Sequence, residues 1–431
     1  MNEHIIASPK FAGYGKGMVI KMKKEKSIGI IGGGASGMAA AIAAARQGAK
    51  VTVLERNDRV GKKILVTGNG KCNLGNYALS EYEYYGSTPE FIRASLKRFD
   101  TEDTVAFFKG MGLLLKEKNG YIYPACEQAA VVLDVLRYEM ESLGIEVVTD
   151  CKINHIARDA KQGITVSDGN KTYGFDAVIL ACGSKAAPKT GSDGSGYKLA
   201  KQLGHSLIPT VPALVQLRCE EDYFKAVSGV RADAVVKVYD GQECVAEERG
   251  ELQLTEYGIS GIPVFQISRI VNYILRDKAR VRVEIDLLPD YDSESYEVFR
   301  SCRMLLQKER SAEEFFTGML NKKLMTLFIK MAGLKGNVSV EQADPDKIDY
   351  VFALCKKWTV HVTGSNPYDN AQVCAGGIDT AEITGDFESK KVPGVYLVGE
   401  LLDVDGKCGG YNLQWAWCSG YLAGEAAAVK G

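Results

Sequence analysis

The sequence predicts an α/β protein with three parts: a Rossmann-like nucleotide-binding domain built from both ends of the chain, an inserted antiparallel β-rich domain and a small helical subdomain. Three observations carry this. Residues 27–55 read as one βαβ unit with a glycine fingerprint at its first turn. Short β-rich runs separated by turn residues fill 206–290, and a charged, helix-periodic stretch follows to 355. An apolar strand at Val395–Gly399 and an Ala/Gly-rich helix at Trp415–Val429 then return the chain to the pattern it began with.

Ser27–Ile31 is a short apolar strand, Met38–Gln47 an alanine-rich helix stopped by Gly48, and Val51–Leu54 a second buried strand that ends at Glu55. Strand, helix and strand in that order imply a parallel sheet with crossover helices. Residues 56–76 are rich in Gly, Lys and Asn and read as a loop. Helical stretches follow at 89–111 and 128–143, with a strand or sheet edge at 120–124 between them and further strands at 144–148 and 151–157. Phe175–Gly183 is an apolar strand running into a turn. Beyond Thr190, the runs Val235–Tyr239, Gly250–Leu254 and Val281–Leu287 predict antiparallel strands. Val298, Cys302, Leu305 and Leu306 recur at helical spacing. The domains expected from this pattern are 27–192 with 362–431, 193–290 and 291–361, preceded by an N-terminal extension at 1–26.

Bulk properties narrow the function. The 431 residues carry a formal net charge of -1, so no global field favours nucleic acid or a membrane surface. The 11 cysteines are scattered, without a Cys-x-x-Cys pair or zinc spacing, which fits reduced thiols and no metal site. Lys21, Lys23, Lys24 and Lys26 precede a Gly-rich strand and turn, not the apolar run of an export signal. A cytoplasmic protein with no transmembrane segment is expected.

Gly32-x-Gly34-x-x-Gly37 sits between a strand and a helix, the context that gives the fingerprint meaning. Gly32 makes the tight turn, Gly34 lets backbone approach a pyrophosphate, and Gly37 lets the helix pack on the strand. Ala35 and Ser36 add amides at the positive end of the helix. Glu55 closes the second strand 18 residues after Gly37, where its carboxylate would accept from ribose hydroxyls; Arg56 stands beside it. FAD is favoured over NAD by later segments taken together. The loop from Gly61 supplies Lys62, Lys63, Thr67, Gly68, Asn69, Gly70, Cys72 and Asn73 to a long polyanionic cofactor. Ile153 and the turn with Ala181 and Gly183 are further expected contacts. Gly399 and Glu400 follow the late strand, and Gly409, Gly410, Tyr411, Asn412 and Leu413 open the terminal helix, whose amides would stabilise charge at a flavin edge.

These residues carry a resemblance. Gly32–Gly37, the loop Gly61–Asn73 completed by Asn76, and Pro188–Ser192 with Gly194–Tyr197 occur in order. Gly204-His205, Pro209–Leu214, Glu251–Gly261, Ala375–Ile378 and Gly399–Gln414 follow. Over nearly the whole chain from Ser27 the sequence resembles the YhiN/BaiN-like flavoproteins, also described as aminoacetone-oxidase-family FAD-binding or NAD(P)/FAD-dependent oxidoreductases. The resemblance implies a two-dinucleotide-binding-domain-type flavoprotein core with an inserted β-barrel-like domain. It also implies FAD as cofactor and reduction of a carbon–carbon double bond, including that of a steroid-like enone. The chain departs from the family where Glu256 follows Thr255 in place of a His, and where Lys71 replaces an Arg.

If that His mattered, its proton role would fall to Glu256 or the adjacent Tyr257; His361, the one His expected to face the cofactor cleft, and Cys408, near the expected flavin ring, complete the four catalytic candidates. For Cys72 and Cys408 an ordinary thiol is the simpler reading, for His205 a helix cap, and for Trp415 and Trp417 helix packing. No second complete fingerprint exists, so NAD(P)H is expected as a transient electron donor without its own domain. A small-molecule substrate is the leading expectation. One alternative is dihydrouridine formation in ribosomal RNA, with Lys322, Lys323, Lys330 and Lys335 as a local basic patch. Another is an oxidase or redox-sensing flavoprotein without a dedicated small substrate. Oligomeric state is not legible.

Overall fold

The computed structural model describes residues 25–159 and 163–429, so all but the last two residues of the expected N-terminal extension lie outside the described residues. The chain enters through β1 (Ser27–Ile31), α1 (Ala35–Arg46) and β2 (Lys50–Leu54), then adds β3 (Glu146–Val148) and β4 (Ala177–Leu180). A second unit follows: β5 (Leu217–Cys219), β6 (Arg231–Asp240), β7 (Glu243–Thr255), β8 (Gly258–Gly261), α2 (Ile262–Ile274) and β9 (Val281–Asp286). Next comes α3 (Ser293–Gln307), which opens a run of helices, before β10 (Trp358–Ser365), β11 (Val395–Leu397) and the long α4 (Tyr411–Val429).

The first unit is a five-stranded sheet in the order β11-β4-β1-β2-β3, parallel throughout. The strands are near-continuous apolar runs because helices or other strands cover both faces. Packing is tightest where α4 lies on α1. A Cβ on Gly420 or Gly424 would overlap the carbonyl oxygens of Ser36 and Ala40. Small residues on both helices therefore bring first and last segments into backbone contact. An antiparallel three-stranded element (His155–Asp159, Gly163–Ser167 and Thr172–Phe175) rests on the sheet through the Phe175 ring against Gly29.

The second unit is a closed six-stranded antiparallel barrel, β5-β8-β7-β6-β9-β10. Its closing strand, β10, comes after the helical run, so the helices interrupt the barrel between β9 and β10. Val236, Val283, Ile285, Trp358, Val360 and Val362 fill the barrel and share one core with the helices. The sheet unit has its own core. The chain crosses between units through the paired strands Val211–Ala213 and Val373–Ala375. Sequence reading split the stretch 89–111 no further; the chain breaks it into helices Pro89–Arg98 and Thr101–Gly110, because Asp100 and Asp103 form a reciprocal capping box there.

Candidate functional site

A cleft of about 760 Å³ opens where β1, β2 and β4 end, at Ile31, Leu54 and Ala181, and runs to the barrel's α2. This is the carboxyl edge of a parallel sheet, where crevices form in such folds. At its floor Gly32 adopts φ +105° and donates its N–H to Leu54 O at 2.9 Å. A Cβ there would sit 2.5 Å from Ala181 O, and one on Gly37 would overlap Gly32 O. Gly34 differs: an added Cβ meets nothing within 4 Å, because that side faces the cleft. No side chain caps α1. Its first amides and dipole are therefore available to an anion.

Glu55 is buried at the end of β2, with a hydrogen bond on each oxygen. Its Oε2 accepts from Gly33 N at 2.8 Å; Oε1 accepts from Asn57 N at 2.8 Å and from Asn57 Nδ2 at 2.7 Å. The N–H donors hold the carboxylate in place, and it remains on the cleft wall. Asn57 carries no sequence signal; only the fold reveals it as the clamp on Glu55.

The Gly-rich loop wraps one side of the cleft in 3-10 turns, with Gly68 and Asn69 both left-handed. Its cations all have partners. Lys62 pairs with Asp58 at 2.6 Å and Lys71 with Glu127 at 2.7 Å, while Lys63 meets Glu400 at 2.7 Å. Ser184 Oγ donates to the same Glu400 oxygen at 2.9 Å. Across the cleft Arg56 pairs with Asp193. These cations give the cleft structure more than net positive charge. Thr67 donates to Ile64 O at 2.7 Å and so closes the loop on itself.

The opposite wall begins at α4. Gly409 and Gly410 have φ +118° and +96°, and a Cβ on Gly410 would lie 2.7 Å from Gly75 C. Asn412 locks the preceding turn through Gly406, accepting from its N–H at 2.9 Å and donating to its carbonyl at 2.8 Å. In the amide orientation that satisfies both its atoms, Asn73 accepts from Gly410 N at 3.2 Å. Cys408 N donates to Gln266 Oε1 on α2 at 2.9 Å, which ties the barrel to this turn.

Most expected cofactor contacts converge on this cleft, including Ala35, Ser36, Ile153, Gly183 and Leu413. Five do not line it: Gly37, Gly70, Cys72, Gly399 and Tyr411. Gly399 has φ +68° and makes packing contacts, donating to Ser419 Oγ at 3.0 Å and accepting from Trp415 Nε1 at 3.1 Å. Trp415 and Trp417 are buried in the core. His205 caps its helix through its backbone, the N–H donating to Ala200 O at 3.0 Å, while its buried ring lies between Glu382 (2.9 Å) and Ser389 (2.7 Å).

Of the four catalytic candidates only Cys408 lines the cleft. Glu256 and Tyr257 form the tip of the β7–β8 hairpin, where Glu256 is exposed and Tyr257 Oη accepts from Asn366 at 2.9 Å. His361 lies one residue out of step with Val360 and Val362, which point into the barrel, so its side chain points outward. There Glu221 Oε1 meets its Nδ1 at 3.0 Å. Burial pushes the Cys408 thiol up.

Sequence reasoning missed the apolar part of the wall. Val66 and Ile262 are 60% and 47% exposed in the cleft, and Phe265, Leu214 and Val373 join them. Two phenols complete it. Tyr121 packs on Gly409: a Cβ on that glycine would lie 2.8 Å from the ring and 3.6 Å from Oη. Tyr123 is its neighbour at 6.5 Å between ring centroids. These residues come from distant segments, and no local motif joins them.

All cysteines are free among the described residues. Burial pushes the Cys72 and Cys182 thiols up to about 12. Alkylation of the native protein at neutral pH is expected at exposed Cys126, Cys244 and Cys302, with Cys72 reacting only after denaturation. Mass spectrometry reads this directly; rapid native labelling of Cys72 would contradict its inert assignment.

The family model described as the HI0933-like protein Rossmann domain matches residues 26–426. The chain is 46% identical over 408 residues to the 3-dehydro-bile acid delta(4,6)-reductase of Clostridium scindens, covering 94% of this chain and 99% of that protein. It is 30% identical over 402 residues to the ribosomal RNA dihydrouridine synthase of Escherichia coli, covering 92% and 96%. A protein of the same description from Haemophilus influenzae is 30% identical over 400 residues, covering 91% and 96%.

Proposed function

The chain belongs to the HI0933-like Rossmann family, and from that premise we propose that it is an FAD-dependent reductase that saturates a carbon–carbon double bond in an apolar, ring-containing enone. One observation carries the proposal: a single cleft is lined both by a dinucleotide cradle and by exposed apolar residues with two phenols.

The residues fit FAD. Gly34 leaves the space a pyrophosphate needs, uncapped α1 supplies amides for it, and Glu55 is fixed where ribose hydroxyls can donate to it. Gly409 and Gly410 bring the start of α4 to the wall that meets the barrel. Bound and reduced, FAD supplies two electrons and one hydrogen. The chain must then provide an apolar seat and a proton. Ile262, Phe265, Val66 and Leu214 exclude water from a hydrocarbon substrate. Lys62, Lys63, Lys71 and Arg56 are all held in ion pairs. Tyr121 Oη has no hydrogen-bond partner among the described residues. We assign it the proton: its O–H bond breaks as a C–H bond forms at the carbon beside the one being reduced, and water then reprotonates the phenolate. NAD(P)H is the proposed donor, docking transiently at the same cleft.

The reading as a ribosomal RNA enzyme has less support. Its relatives are 30% identical against 46%, and none of Lys322, Lys323, Lys330 and Lys335 lines the cleft.

The test is anaerobic reduction of the purified protein by NADH or NADPH, followed by addition of a 3-oxo-Δ4 steroid or of uridine-containing ribosomal RNA. The steroid is expected to reoxidise the flavin. Purified protein that neither holds nor takes up FAD would end the proposal, as would reoxidation by RNA alone. Tyr121→Phe is expected to leave the flavin spectrum intact and slow steroid reduction by about 10²–10⁴, the usual worth of a positioned acid. Unchanged turnover would remove Tyr121 from the mechanism.

A further inference from the structure

Five residues of α2 share the face it turns toward the cleft and the sheet unit. Ile262, Phe265, Gln266, Arg269 and Tyr273 stand at i, i+3, i+4, i+7 and i+11, along one side of the helix. The first two line the cleft as part of its apolar seat. The next two reach the turn that runs into Gly409 and Gly410. Gln266 Oε1 accepts from Cys408 N at 2.9 Å, and Arg269 Nε donates to Asp405 Oδ1 at 3.1 Å. The Arg269 guanidinium also lies over the rings of Tyr85 and Tyr273, 4.8 and 5.1 Å from their centroids. Beside this pair Lys407 bridges the units, 2.8 Å from Glu83 and 2.9 Å from Glu248 on β7. The turn itself belongs to the sheet unit: Asp405 and Gly406 pair with Tyr85 and Tyr84, and Asn412 clamps Gly406. Asp405 is buried, and a buried carboxylate persists only with a partner. Arg269, carried by the barrel's helix, supplies it.

We propose that the Arg269–Asp405 pair positions the reaction: it holds the apolar seat on α2 against the turn before Gly409, and so fixes how the substrate meets the cofactor. The inference rests on the reading of the cleft as a flavin–enone site. Neither residue lines the cleft, so both act through others. Arg269 acts through Phe265 and Ile262, one and two turns before it on the same face, and Asp405 acts through the segment Cys408–Gly410. A rate falls steeply with misplacement, about 10²-fold for about 1 Å, whereas affinity for an apolar substrate follows the area buried. A proton can break the pair. Burial, opposed by Arg269, pushes the Asp405 carboxyl up to about 7. The other groups facing the pair are Asp403 on the same turn, whose like charge disfavours ionisation, and Tyr85, Tyr273 and Tyr411, which burial keeps neutral. Burial raises Cys374 on the crossing strand likewise, and Lys407 is engaged by its two glutamates. As pH falls through this range the carboxyl takes up a proton and the seat loosens; as pH rises the ion pair forms.

Stopped-flow mixing of the dithionite-reduced, flavin-loaded chain with a 3-oxo-Δ4 steroid over a concentration series separates limiting rate from half-saturation. Arg269→Ala is expected to lower the limiting rate by about 10²-fold, with flavin content and half-saturation unchanged. Arg269→Lys keeps the charge and should recover most of the rate. The wild-type limiting rate should fall as pH drops through about 7, and Asp405→Asn should be slow and independent of pH there. Hydrogen exchange reads the contact without turnover. Arg269→Ala should speed exchange in the first turns of α2 and in Asp405–Cys408, and leave β1 and β2 unchanged. A loss confined to half-saturation, a loss of flavin, no rescue by lysine, or wild-type exchange in Arg269→Ala would overturn the proposal. So would a pH limb that survives Asp405→Asn. A flat wild-type pH profile would do the same and needs no variant, so it decides even where a substitution unfolds the chain. Wild-type reduced flavin that the steroid fails to reoxidise would instead end the flavin–enone reading, and exchange would still show whether the pair holds the seat.

Discussion

Replacing Gly420 by leucine is expected to lower stability by about 3 kcal/mol or more, the upper end of the cost of overpacking a core, and to release the cofactor with it. The Cβ would overlap Ser36 O, and backbone cannot swing aside as a flexible side chain can. One turn later, Gly424 faces Ala40 O in the same way. α1 and α4 are both buried along this contact, so neither has a free side toward which to retreat. The effect reaches the site because each helix brings its first turn to the cleft, α1 at Gly34–Ser36 and α4 at Asn412–Leu413. Driving the helices apart displaces the two together. Thermal unfolding and the flavin content of the purified variant measure this. A Gly420→Leu protein with native melting temperature and full flavin would refute it.

Glu55→Ala is expected to weaken FAD binding by about 10–100-fold, the loss of charged hydrogen bonds worth about 1.5–3 kcal/mol. The loss has two parts. The ribose hydroxyls lose their acceptor, and Gly33 N, Asn57 N and Asn57 Nδ2 lose the carboxylate that now satisfies them. Glu55→Gln separates these parts. It keeps the shape, but one end of its amide carries hydrogens that face donors, so an intermediate loss is expected. Flavin fluorescence titration reads both affinities. Equal affinity in wild type and Glu55→Ala would mean that the ribose lies elsewhere in the cleft.

Local pattern was enough to recover the frame. The strand at Ser27–Ile31, the turn at Gly32, the buried helix after it and the acid at the end of β2 all stand where spacing placed them. The terminal helix returns to this unit as its alanine and glycine content implied. The same pattern found α3 but not its environment. Helical periodicity says which residues share a face, and says nothing about what covers that face, so an apolar stripe read from spacing is exposed in the fold.

The sequence by itself determined the βαβ unit, the fingerprint and Glu55, because each depends on hydrogen bonds and sterics within a few tens of residues. Tertiary structure alone decided which chemical groups remain free. Lys63 meets Glu400 across 337 positions of sequence, and its charge is spent there. His361 points out of the barrel because strand alternation turned it outward, and it does not line the cleft. Tyr121 rests on Gly409 because a hairpin strand and the turn before α4 meet only after folding. Availability of a side chain is set by its long-range partners, and no local window of sequence contains them.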